Sequence, residues 1–222
     1  MKTLLTIAGS DCSGGAGIQA DLKTFASHGH YGMSVITALT AQNTTGVYGV
    51  VTLEPSFVTA QLQAVMEDIP PHGIKIGMVS SVPVIEAIEQ GLKAYPSCPV
   101  VVDPVMISTS GHALVADEAV KALVTCLFPL ADLITPNLAE AEKLSGIKIR
   151  NQQEMEAAAR LIKPWVKGSV LIKGGHLAHT ADDLLYDGID MIWIQGQRID
   201  NPNTHGTGCT LSSALASRLA EG

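Results

Sequence analysis

With 222 residues and 46% hydrophobic content, the chain can bury one sizeable core. Charged residues are 16%, aromatics 4% and glycines 21 in number, a profile that excludes a disordered or fibrous protein and suits an α/β enzyme with many tight turns. The formal net charge is −7 with no long Lys/Arg run, so the electrostatic footprint of a nucleic-acid binder is absent and any phosphate must be held locally.

Taken in chain order, an apolar strand over Thr3 to Ala8 comes first. It is too short for a signal-peptide core, and Asp11 follows at once. The pattern then predicts a helix over Ile18 to Ser27, a strand over Met33 to Ala38, a helix over Pro55 to Ile69 and a strand over Ile74 to Ile76. Next come a helix over Val82 to Ala94, a strand over Val100 to Asp103, a helix over Asp117 to Leu127 and a strand over Asp132 to Thr135. Helices over Leu138 to Leu144 and Gln152 to Val166 precede a strand over Ser169 to Lys173. Asp183 to Tyr186 and Met191 to Gln195 flank Asp187-Gly188 and read as a hairpin; the last helix starts near Gly208 and runs to the end. Short strands alternating with helices predict βαβ units, hence an α/β fold with a mostly parallel sheet, in one domain over 1–222. The continuously apolar run at Val100 to Val102 fits a strand covered on both faces. No apolar run reaches the roughly 18 residues of a membrane span, so no membrane association is expected. Cys12, Cys98, Cys126 and Cys209 show no CxxC or zinc-type spacing, and reduced thiols in a cytoplasmic protein are the expectation.

In open parallel sheets, ligands bind outside the carboxyl ends of the strands. The informative residues cluster there: Gly9 to Gly17, Gln42, Gly77-Met78, Asp103 to Gly111, Thr135 to Glu140, Lys173 to His176 and His205 to Cys209. In Thr204-His205-Gly206-Thr207-Gly208-Cys209-Thr210, two glycines free the backbone just before a helix, whose first N–H groups and dipole suit an anion; a plain glycine turn is the alternative. A thiol placed there is expected to have a lowered pKa and to accept a proton, unless Cys209 is a buried structural cysteine. Gly15-Ala16-Gly17-Ile18-Gln19-Ala20 fits the dinucleotide fingerprint formally, but the glycines lie too far from Ala8, and the second strand lacks a terminal acid. A substrate-facing loop suits it better. Asn137 and Glu140 share one helix face, either to hold hydrated Mg²⁺ and phosphates or as an N-terminal capping box. Asp103 ends a buried strand and faces the predicted cleft, and Lys173 can neutralise phosphate charge. His176 reads as loop packing and His205 as a residue that positions its loop, while the remaining histidines form no ligand pattern.

Together these segments resemble the hydroxymethylpyrimidine/phosphomethylpyrimidine kinase family. The matching stretches are Thr6 to Asp11, Gly14 to Thr24, Ala41-Gln42-Asn43-Thr44, Lys75-Ile76-Gly77-Met78, Asp103-Pro104-Val105-Met106, Ile134 to Glu140, Lys173 to His176 and Thr204 to Thr210, in the expected order over nearly the whole chain. The resemblance implies a ribokinase-like three-layer sandwich, with its parallel sheet between helices, and ATP-dependent phosphorylation of the pyrimidine alcohol and then of its monophosphate, in thiamine biosynthesis. It also implies that Gln42 reads the pyrimidine edge and that Gly9, Ala16, Asp21, Met78 and Val105 belong to the substrate side. Gly206, Thr207, Gly208 and Cys209 are implied as the catalytic anion hole, with Lys173, Asn137 and Thr207 on the ATP side and Asp103 and Glu140 on the Mg²⁺ side. Related sugar kinases carry Asp where Cys209 stands, which makes a base role for its thiol conceivable.

Relatives in this family continue past the Cys209 helix with helical sequence that helps cover adenine, whereas this sequence stops at Glu221-Gly222; either a C-terminal helical tail is omitted from it or the adenine side is incomplete. Three alternatives stand beside this reading. A pyridoxal kinase shares the scaffold but lacks the glutamine of Ala-Gln-Asn-Thr. A ribokinase-type sugar or nucleoside kinase would carry Asp at position 209. A non-catalytic pyrimidine-binding module is the third. Oligomeric state is left open, a homodimer included.

Overall fold

In β1 (Thr3–Asp11), neighbouring apolar residues face opposite ways: Leu4 joins one buried cluster, and Leu5 and Ile7 the other. A strand apolar on both faces belongs mid-sheet, and the computed structural model, which describes residues 1–106, 116–175, 181–199, 201 and 203–222, places it there. β1 pairs in parallel with β2 (Tyr31–Asn43) and with β4 (Gly73–Ile76). The parallel run continues through β5 (Val100–Val102), β6 (Leu133–Ile134) and β7 (Ser169–Ile172). Antiparallel strands finish both edges: β3 (Gly46–Thr52) beside β2, and the hairpin β8 (Asp183–Tyr186) and β9 (Met191–Ile194) beside β7. The order is β3-β2-β1-β4-β5-β6-β7-β8-β9.

Helices α1 (Gly17–Ser27) and α7 (Thr207–Glu221) cover one face, packing Phe25, Ala216 and Ala220 on Leu4 and Val101. The opposite face carries α2 (Pro55–Asp68), α3 (Val82–Lys93), α4 (Asp117–Ala122), α5 (Leu138–Ser145) and α6 (Gln152–Ile162) around the larger cluster. This is the expected three-layer α/β sandwich. Among the described residues no helix is long and apolar enough to cross a membrane.

Some elements depart from the sequence expectations. β2 runs on to Asn43 and turns through Thr44-Thr45 into β3, which the sequence pattern did not indicate. The Asn43 side chain closes the turn by accepting from the Thr45 and Gly46 amides. Gln42 is therefore a strand residue beside a register shift, where a bulge re-aims side chains, and not a loop residue. The helix expected through Leu127 is α-helical only to Ala122; a π turn over Leu123–Leu127 and a 3-10 turn over Phe128–Leu130 follow. The helix expected through Val166 ends at Ile162, where Pro164 leaves a 3-10 turn over Lys163–Trp165. The expected hairpin at Asp187-Gly188 forms with a longer loop, since Tyr186 pairs with Met191.

Candidate active site

β1 ends in Asp11, and that carboxylate builds the next loop. Its Oδ1 accepts from the Ser13 amide and hydroxyl at 2.8 Å each, and its Oδ2 from the Gly15 and Ala16 amides at 3.1 and 2.8 Å. Oδ2 also meets His205 Nε2 at 2.8 Å. Burial works to raise the Asp11 carboxyl, but the bonds from His205, Ser13 and Ala16 outweigh it and hold the group below its ordinary value. The loop leads into α1 through Gly17 at φ 57°, where a side chain would collide with the Gly9 carbonyl.

A cleft of about 860 Å³ opens at the carboxyl ends of the parallel strands. Gly9, Ala16, Gln42, Met78 and Val105 line one part, and Asp103, Asn137, Glu140, Lys173 and the Gly206 to Cys209 turn line the rest. A Cβ on Gly9 would stand 2.7 Å from Met78 Cε, so a side chain there would push the Met78 methyl aside. All the residues expected in the site are thus brought together except one. Asp21 does not line the cleft: it is fully buried under α1, where it accepts from Thr6 Oγ1 at 2.6 Å, Ser213 Oγ at 2.7 Å and Lys75 Nζ at 2.9 Å. A carboxylate with those partners faces inward and cannot meet a ligand directly.

The partner of Asp21 is the residue that sequence reasoning passed over. Lys75 is fully buried in β4 yet borders the cleft beside Cys209. Desolvation alone would lower its pKa; the charges of Asp21, Cys209 and Asp103 reverse this and leave it well above the ordinary lysine value. It is a fixed positive charge in the cleft floor. A lone lysine inside Gly73-Ile74-Lys75-Ile76 was the available signal.

At the end of β5, Asp103 Oδ1 accepts from Thr135 Oγ1 and Lys173 Nζ, both at 3.0 Å. Burial pushes Asp103 up, while Lys173 and Lys75 bring it below its usual value. Lys173 is pushed down by burial and raised overall by Asp103 and Glu140. On α5 the capping box forms in full: Asn137 Oδ1 accepts from the Glu140 amide, and Glu140 accepts from the Asn137 amide. The other Glu140 oxygen accepts from the Met106 amide at 3.3 Å. Burial first, and then the charge of Asp103, push the Glu140 carboxyl up to about 7.

α7 starts at Thr207 with Gly206 at φ 81° as its N-cap and no side-chain cap. Among the described residues, the Gly208 and Cys209 N–H groups have no hydrogen-bond partner, so two donors and the helix dipole point into the cleft. The expectation for Cys209 is corrected here. Burial raises its thiol pKa; Lys75 and the Gly17 amide oppose this, Asp21 and Asp103 reinforce it, and the net shift is upward. The helix end is outweighed by desolvation and two nearby carboxylates. His176 and the segment around Gly111 lie outside the described residues.

The family model for phosphomethylpyrimidine kinase matches residues 11–222. The hydroxymethylpyrimidine/phosphomethylpyrimidine kinase of Rhizobium meliloti is 50% identical, over 98% of this chain and 82% of that protein. The thiamine biosynthesis bifunctional protein ThiED of Geobacter sulfurreducens is also 50% identical over 99% of this chain, which spans only 45% of that longer protein. Among solved structures, an ADP complex of Bacillus subtilis pyridoxal kinase aligns with a TM-score of 0.92 at 40% identity, covering all of this chain and 85% of that one. The fold is accordingly ribokinase-like. A match over residues 11–222, with 50% identity to a dedicated kinase, joins the cleft and its anion-donor turn to one lineage: the chain belongs to the phosphomethylpyrimidine kinase family.

Proposed function

We propose that the protein transfers the γ-phosphate of ATP to the hydroxymethyl group of 4-amino-5-hydroxymethyl-2-methylpyrimidine, and then a second phosphate to the monophosphate. The observation that carries this reading is the shared cleft: an amide able to read a pyrimidine, Gln42, opens onto the same cavity as the unpaired Gly208 and Cys209 amides. In the transfer, the substrate oxygen bonds to the γ-phosphorus as the bond to ADP breaks. Charge spread over the phosphoryl oxygens is met by those amides, with Lys173 and Lys75 nearby. Nucleotide phosphates are assigned to the Asn137, Lys173 and Thr207 side.

Mg²⁺ fits this site as a hydrated ion carried by the nucleotide. No three metal-type side chains converge among the described residues, yet Asp103 and Glu140 repel one another enough to help raise Glu140. A cation near Asp103 and Glu140 relieves that repulsion and neutralises phosphate charge when bound. Glu140→Gln is therefore expected to raise the Mg²⁺ concentration needed for half-maximal rate. Magnesium titrations of both proteins check this; superimposable curves would reduce Glu140 to a helix cap.

Pyridoxal phosphorylation is the second reading, favoured by the likeness to a pyridoxal kinase. Gln42 argues against it, since an amide can donate and accept at once against a ring nitrogen and an exocyclic amine. Gln42→Met leaves those atoms unpaired at a cost of about 1–3 kcal/mol, so the KM for the pyrimidine should rise roughly 5- to 150-fold with the KM for ATP little changed. A substrate panel of the pyrimidine alcohol, its monophosphate and pyridoxal tests the proposal. Turnover of pyridoxal alone would overturn it.

A further inference from the structure

Donors aimed at a transferring phosphoryl group are useful only if they are fixed relative to the attacking hydroxyl. Local bonds hold the Gly206 to Cys209 turn to its own helix, the Thr210 amide and hydroxyl donating to the Gly206 carbonyl, but they do not set it against the substrate loop. That helix has no side-chain cap, and among the described residues the Thr207 amide and hydroxyl both donate back to the Thr204 carbonyl. Among the described residues, the other hydrogen bonds of 203–206 go to near neighbours, Asn201, Thr207 and Thr210, and the one that reaches a distant segment is His205 Nε2 to Asp11 Oδ2. The two residues are 194 apart in sequence.

Asp11 is the same carboxylate that shapes the Ser13 to Ala16 loop, which with Gly9 walls the substrate side. The approach of the two loops is close. A Cβ on Gly206 would strike the Gly15 carbonyl, and one on Gly15 would strike the His205 ring. Asp11 Oδ2 already accepts from two amides, so the carboxylate is the acceptor and Nε2 carries the hydrogen. We infer that His205 is a positioning residue which, through Asp11, sets the anion-donor turn in register with the substrate loop.

This rests on the proposed transfer reaction, in which a displacement of about 1 Å costs on the order of 10²-fold in rate. His205→Ala should lower kcat by about that factor while moving the KM for ATP and for the pyrimidine less than about threefold. His205→Gln, whose terminal amide nitrogen can stand where Nε2 stands, should recover most of the loss. Hydrogen exchange gives a readout independent of turnover: the 203–210 peptide should exchange at least about tenfold faster in His205→Ala than in wild type or His205→Gln. Should His205→Ala fail to fold, His205→Asn, whose shorter amide stops short of Asp11, serves the same comparison. Wild-type turnover is measured alongside. If wild type turns over no pyrimidine but the alanine variant exchanges faster, the proposed reaction fails and the clasp stands. Equal losses in the alanine and glutamine variants, KM rising in step with the fall in kcat, or unchanged exchange over 203–210 in His205→Ala would each overturn the inference.

Discussion

Cys209→Ala is expected to lower kcat by about 10²–10⁴-fold, the usual worth of general-base assistance, with ATP affinity little changed. The Gly208 and Cys209 amides belong to the backbone and survive the substitution. What is lost is the thiol, and its raised pKa fixes the form of the test. Near neutral pH a thiol shifted upward is mostly protonated, so the thiolate fraction grows with pH up to that raised value. If Cys209 accepts the hydroxyl proton, log kcat should climb with pH across the neutral and mildly alkaline range. Cys209→Ser and Cys209→Ala should both lose that climb. Should Cys209→Ala keep most of its kcat, the thiol is a wall of the cleft, and catalysis rests on the amides, the cationic side chains and positioning.

The largest effect on stability is expected at Lys75. Lys75→Met keeps much of the side-chain volume but strands the Asp21 carboxylate in the interior. Breaking a buried ion pair by removing one partner costs about 3–5 kcal/mol. For a chain of this length that amounts to a fall in Tm of about 10 °C. Lys75→Met combined with Asp21→Asn removes both charges and should regain most of the loss. Calorimetry of the three proteins decides the matter, and a single variant melting within about 2 °C of wild type rejects the pair as a stabilising element. The sign of the pH dependence follows from the upward shift of Lys75: its contribution is fully present below the ordinary lysine value and disappears only as pH rises through the higher folded value. The pair therefore holds throughout the neutral range.

The central strands were legible because their burial is local. Val100-Val101-Val102 can be continuously apolar only where both faces are covered, and it lies mid-sheet. The placement of site loops after strands followed from the parallel topology. β3 was not legible, since Tyr48, Val50 and Val51 are all exposed and no buried face imposes alternation. Asp21 was assigned to the substrate because the sequence does not reveal that its partner Lys75 stands 54 residues away. Cys209 was misjudged for the same reason. The helix start is visible in the sequence, but the burial and the Asp21 and Asp103 carboxylates come from distant segments.

Gln42 lies on the β2–β3 ribbon at the sheet edge, among the exposed residues Ala41, Asn43, Thr44 and Thr45. Lys75 and Asp103, by contrast, are set in and beside central strands and are buried. Substitutions on the ribbon disturb little packing, whereas those on the phosphoryl side draw directly on folding stability. Under the proposed function, ligand choice is thereby separated from chemical competence within a single cleft. With those roles, a lineage carrying this architecture would drift toward new ring systems through the rim while its transfer machinery stayed locked by the core.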